Sequence, residues 1–195
     1  MLDLWRKWWK IAAGFLGTPT VKRGRIAVSR ELRRTGYNVE AERKENRETL
    51  KALCESVVSN PDYKETVDED GKKRTWCNRA FSDICEQFKG LGVFKNLKAN
   101  TIHTLLGALP GWEPERNPVR VHKHVERGGL AAAALPGDKH GHVVAVGPGP
   151  LVFSGNFGSS VPLVAHVGKA PNGIKGANYA FMKMPDWFLY RPDEV

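Results

Sequence analysis

Apolar and polar positions recur along this chain with two different periods. Up to about residue 127 the apolar residues return at spacings of three and four; beyond Gly128-Gly129 they gather into short runs divided by glycine and proline. The first pattern predicts amphipathic helices and the second predicts strands. In ERKENRETLKALCESVV, Leu50, Leu53, Cys54, Val57 and Val58 keep helical spacing, and Asn60-Pro61-Asp62 ends the helix. DEDGKKR (68–74) reads as a polar hairpin tip. A second helix runs from Trp76 to about Lys89 and stops at Gly90, a third lies near 98–109 and a fourth near 120–127. LAAAAL, HVVAV, VPLVAHV and FMKMPDWFLY are the expected strands. Helices first and strands after imply an α+β domain, placed at residues 40–195.

Residues 1–39 have a different character. In LDLWRKWWKIAAGFL (2–16), Leu4, Trp5, Trp8, Trp9, Ile11 and Phe15 share one face at helical spacing, while Arg6, Lys7 and Lys10 share the other. That distribution is the pattern of a helix lying in a membrane interface. A terminal helix docked on its own domain or a partner, and a cleaved secretory signal, are the other readings. The run is broken by Gly14 and Gly17 and has no A-x-A cleavage site, and no segment approaches the roughly 20 apolar residues of a transmembrane helix. Gly17-Thr-Pro-Thr reads as a linker, and 22–34 as a basic stretch with a short helix capped by Ser29.

Charge sharpens this division. The net charge is +9, yet residues 1–36 hold nine basic and two acidic side chains, leaving only +2 for the rest. Such an arm is drawn to anionic surfaces, while the domain behind it is close to neutral. A length of 195 residues suits one domain with an appendage. Three scattered cysteines are too few for a disulfide framework, and none forms a C-x-x-C pair.

Candidate chemistry starts at Thr75-Trp76-Cys77-Asn78. Thr75 reads as an N-cap, which puts Cys77 in the first helical turn, above a buried stripe of Ala80, Phe81, Ile84, Cys85 and Phe88. A thiol there meets unpaired backbone N–H groups and the positive end of the helix dipole, which favour thiolate and can hold an oxyanion. The plainer reading is a core cysteine, which also fits Cys54 and Cys85. Gly141-His142-Val143-Val144-Ala145-Val146 opens an apolar strand with a histidine, either the base a thiolate needs or a surface turn residue. His166, inside Val161-Pro-Leu-Val-Ala-His166-Val, is either a satisfied core histidine or a group that orients the first imidazole.

In order and type these elements resemble the NlpC-type and CHAP-type peptidoglycan peptidases and amidases, which are papain-like. The resemblance is carried by Thr75-Trp76-Cys77-Asn78 with Phe81, by Gly141 to Val146, and by Leu163-Val164-Ala165-His166. It implies a papain-like α+β fold with N-terminal helices on an antiparallel sheet. It implies Cys77 as nucleophile, His142 as general base and His166 as the third residue, with Asn156 as a fallback. Tyr63 would assist the oxyanion, and GPGPLVFSGNFGSS would be an inserted surface loop beside the site. The implied activity is hydrolysis of cell-wall peptide or amide bonds without a metal or other cofactor. The implied partners are peptidoglycan and, through residues 2–16, an anionic membrane surface. With no clear signal peptide, the expectation is cytoplasmic synthesis and action at the cell wall or periplasm, as in a phage or prophage endolysin.

Two rival readings use other residues. His122-Lys-His124 and His140-Gly-His142 are H-x-H pairs that could hold zinc, although the first falls in a predicted helix, where alternate residues diverge. The basic arm could bind nucleic acid through charge alone, but no helix-turn-helix, zinc finger or RNP-like motif accompanies it, so no specific nucleic-acid partner is expected. G-x-G-x-x-G before a helix and G-x-x-x-x-G-K are both absent.

Overall fold

The computed structural model describes residues 38–192, apart from 68, 70, 72, 139, 169 and 170; the amphipathic segment 2–16, the linker and the basic stretch 22–34 lie outside the described residues. Helix α1 (Val39–Ser59) buries Leu50, Cys54 and Val57, spaced four and three apart as its apolar stripe requires. A 3-10 turn follows at Pro61–Tyr63, where the Asn60 side chain accepts from the Asp62 amide at 2.9 Å. Two short strands, β1 (Thr66–Val67) and β2 (Lys73–Arg74), pair as the polar hairpin.

Helix α2 (Cys77–Lys89) buries Cys77, Ala80, Phe81, Ile84 and Cys85. Gly90 adopts φ 68 and closes the helix, with its amide and that of Leu91 reaching back to Glu86 and Cys85. At the other end, Trp76 is the N-cap residue without a side-chain cap bond. The expected Thr75 cap is therefore corrected: the helix begins one residue later, and the Thr75 hydroxyl is used elsewhere. Helices α3 (Ala99–Leu106) and α4 (Pro118–Glu126) follow, the latter capped by Asn117 Oδ1 on the Val119 amide at 2.9 Å. Phe81 and Phe94 stack with Trp112, centroids 5.4–6.4 Å apart, joining α2 to the sheet.

The main sheet has six antiparallel strands in the order β3 (Trp112–Glu115), β8 (Asp186–Tyr190), β4 (Ala131–Leu135), β5 (His142–Ser154), β6 (Ser159–His166) and β7 (Gly173–Gly176). A fifth, one-turn helix, α5 (Ala177–Ala180), leads out of β7. Helices α2, α3 and α4 all lie against β5. The alanine run of β4 is wholly buried at Ala131–Ala134, because strands on both sides and helices above leave room only for methyl groups. The chain is thus α+β, but strands do not wait for the last helix: β3 precedes α4 and pairs with the C-terminal β8.

GPGPLVFSGNFGSS is not an inserted loop. Strand β5 runs through it to Ser154, turns at residues 155–158 and returns as β6. Gly147 pairs with Leu163 and Val152 with Val161, so the four residues 148–151 face Pro162 alone. Two prolines in that stretch lack the N–H a regular ladder needs, and the strand bulges. Helix α4 clasps the bulge. His122 Nε2 donates to the Gly149 carbonyl at 2.8 Å, and the Gly149 amide donates to Glu126 Oε1 at 2.7 Å. Glu126 Oε2 is in turn paired with Arg47 Nε at 2.9 Å.

Candidate active site

Three local devices converge at the start of β5. The first is the loop before it. Asn100 of α3 donates through Nδ2 to the Gly137 carbonyl at 2.7 Å and accepts from the Gly137 amide at 3.2 Å. The chain then passes so close that a Cβ on Gly141 would meet Asn100 Oδ1 at 2.2 Å and the Leu135 carbonyl at 3.0 Å. Only glycine fits there, and His142 follows directly.

The second is a gap in the sheet. Strand β4 pairs with β5 from His142 to Ala145, whereas β6 pairs with it only from Val146 onward. Val143 therefore has no β6 partner, and its amide hydrogen-bonds the sulfur of Cys77. The amides of Asn78 and Cys77 and the Thr75 hydroxyl also serve that sulfur. Thr75 itself packs on Gly168, where an added Cβ would touch its own at 3.1 Å. Cys77 is 3% exposed, and its first-turn position on α2 is what delivers the sulfur into the gap.

The third is the strand period. Val146 faces Val164, and His142 and His166 each lie an even number of residues from that pair, so both imidazoles emerge on one face. Their ring centroids are 5.4 Å apart, edge to face at 74°. Phe181 covers the His142 ring from another side, at 5.1 Å. His142 Nε2 is buried and has no hydrogen-bond partner.

Electrostatics reverse one expectation. Burial pushes the Cys77 thiol up from its ordinary value, outweighing the amides of Val143 and Asn78, the Thr75 hydroxyl and its own amide, all of which pull it down. The helix N-terminus does not by itself yield a thiolate here. Burial, and then repulsion from His166, holds the His142 imidazole down at about 4. At neutral pH both groups are uncharged. Cys54 and Cys85 are buried free thiols whose values burial raises still further, Cys54 to about 12, as inert core cysteines.

Of the remaining expected site residues, neither Tyr63 nor Asn156 touches the pair. The Tyr63 hydroxyl bonds the Asp83 carboxylate, six residues beyond Cys77 on α2, with the Arg79 guanidinium over its ring at 5.6 Å. Burial first, and that carboxylate second, push its phenol up to about 12. Asn156 is exposed in the β5–β6 turn and borders an open cleft of about 510 Å³ whose wall includes His166 and Phe181. Neither Cys77 nor His142 lines that cleft; His166 and Phe181, which do, are the rings in contact with His142.

The H-x-H pairs do not converge. His122 bonds Gly149, His124 Nε2 meets the Leu130 carbonyl at 3.1 Å, and His140 is exposed in the loop before β5. Among the described residues no group of three or more His, Cys, Asp or Glu is disposed to hold a metal ion. No described helix is long and apolar enough to cross a membrane. Sequence reasoning missed Phe181, Asn100 and the Thr75 contact. Gly141 beside a histidine was the sole sequence signal for any of them. Compared with known proteins, the chain matches no family model and no curated protein.

Proposed function

We propose that this protein is a cysteine hydrolase of the papain-like cell-wall type that cleaves peptide or amide bonds of peptidoglycan through Cys77 and His142. The observation that carries the reading is the hydrogen bond from the Val143 amide to the Cys77 sulfur. It ties a helix-opening thiol to the residue beside a strand-opening imidazole, from two segments 65 residues apart in sequence. His166, against the His142 ring, is the positioning residue of this reading.

The uncharged resting pair defines the steps. As the sulfur attacks the scissile carbonyl, the thiol proton passes to His142, whose Nε2 has no competing partner. The amides of Cys77 and Asn78, at the open end of α2, are the oxyanion donors. The imidazolium then gives its proton to the leaving amine as the C–N bond breaks, leaving a thioester. Water attacks the thioester, His142 takes its proton, and the carboxylic product departs with the thiol restored. In this reading the segment 2–16 brings the enzyme to an anionic membrane surface next to its substrate, as in a phage or prophage endolysin.

The test is digestion of purified sacculi with products identified by mass spectrometry. The parent protein releases stem peptides or muropeptides, and Cys77→Ser and His142→Ala release none while circular dichroism shows a folded chain. Unchanged release by folded Cys77→Ser sinks the proposal.

A further inference from the structure

The cleft beside His166 has a composition of its own. Among the described residues its wall carries one lysine or arginine, Lys175, and no carboxylate. Lys175 stands on β7 opposite Val164, two residues before His166 on β6. Its ammonium donates to the Pro171 carbonyl at 2.8 Å, which fixes the head of an otherwise mobile side chain and uses one of three N–H groups. Among the described residues no carboxylate is paired with it. A fixed, unneutralised ammonium in a concave wall is a receptor for an anion.

Three residues further on, Asn178 also lines the cleft, with its Oδ1 buried close against Gly176. Tyr179, 69% exposed, stands on the rim and offers a flat apolar surface. Cation and aromatic rim together match a peptide: a carboxylate for Lys175 and a side chain for Tyr179. The floor, His166 and Phe181, is in direct contact with the His142 ring.

We infer that this cleft is a substrate subsite beside the reacting pair, and that it selects peptides bearing a free carboxylate, bound by Lys175. The inference rests on Cys77 and His142 being the reacting pair, since it assigns the cleft to the same reaction. A peptide docked there lies against His166 and Phe181, the rings that touch the His142 imidazole.

Purified muropeptides with free stem carboxylates, and the same muropeptides with those groups converted to carboxamides, are the probes. Calorimetric binding to the inactive Cys77→Ser protein is measured beside hydrolysis by the parent. The free-acid form binds Cys77→Ser at least about tenfold more tightly than the carboxamide. Adding Lys175→Met removes that preference, and Lys175→Arg keeps it. In the active protein Lys175→Met raises KM for the free acid and leaves kcat and the carboxamide nearly unchanged. Equal binding of both forms, or a preference that survives Lys175→Met, overturns the inference whether or not hydrolysis occurs. Carboxylate-selective binding without any hydrolysis by the parent upholds the subsite and overturns the cysteine-hydrolase reading instead.

Discussion

His142 should make the protein acid-sensitive in a way a single substitution removes. Its imidazole titrates near 6.5 in an unfolded chain and at about 4 in the folded one, because its ring is desolvated and faces His166. Above pH 6.5 it is neutral in both states and the shift has no effect on stability. As pH falls below 6.5 the unfolded chain takes up a proton that the folded chain refuses, so stability drops by roughly 1.4 kcal/mol per pH unit. The loss levels off once pH falls below about 4, where both states are protonated, and its total is about 3 kcal/mol. Carboxylates contribute to acid unfolding as well, so the informative quantity is a difference. Urea unfolding followed by tryptophan fluorescence, from pH 7 to pH 4, is run on the parent and on His142→Gln. The parent should lose about 3 kcal/mol more than the variant, most of it between pH 6 and 4. Parallel curves, within about 1 kcal/mol across that range, would show that the imidazole is not held in the buried, unpartnered state described here.

Two further outcomes follow from the same region. Gly141→Ala drives a methyl into Asn100 Oδ1 and the Leu135 carbonyl; displacement of the Asn100 clamp forfeits two hydrogen bonds and should lower unfolding free energy by about 1–3 kcal/mol, read as a lower urea midpoint with unchanged m. Asn100→Ala should lose a similar amount, and full stability in both would refute the clamp. Native Cys77 should resist iodoacetamide at pH 7 and react faster as pH rises past 9, with peptide mapping to separate it from Cys54 and Cys85; rapid alkylation at pH 7 would contradict the buried, protonated thiol.

Where the chain announces its own punctuation, structure was legible in advance. Gly90 ends α2 because it reaches the left-handed conformation that closes a helix, and the apolar stripe above it kept its spacing. The apolar runs LAAAAL and HVVAV announced β4 and the start of β5, whereas of the expected strand FMKMPDWFLY only Asp186–Tyr190 pairs in the sheet. What stayed hidden depended on partners distant in sequence. Trp112–Glu115 contains Pro114 and reads as loop, yet as an edge strand it needs hydrogen bonds on one side only and finds β8 there. Gly173–Gly176 is the opposite edge and has almost no apolar signal of its own. Residues 148–151 look like a loop for the same reason they bulge. At the site, local position made Cys77, His142 and His166 candidates beside plainer core readings and the family resemblance assigned their roles; the strand period explains why the two imidazoles meet. The sign of the thiol's shift was not legible, because desolvation depends on what packs over the helix end, which local sequence does not encode.

The Val143 amide bonded to sulfur gives Cys77 a structural duty. Where a regular sheet would offer a carbonyl, this one uses a side-chain atom as the missing acceptor, so the thiol completes the ladder. Substitutions of Cys77 are then unequal as tools. Serine keeps an oxygen for the orphaned donor, whereas alanine strands a buried N–H and should melt several degrees lower. The Cys77 thiol is in that sense a mortar joint between helix and sheet, and a hydrocarbon in its place would loosen the wall.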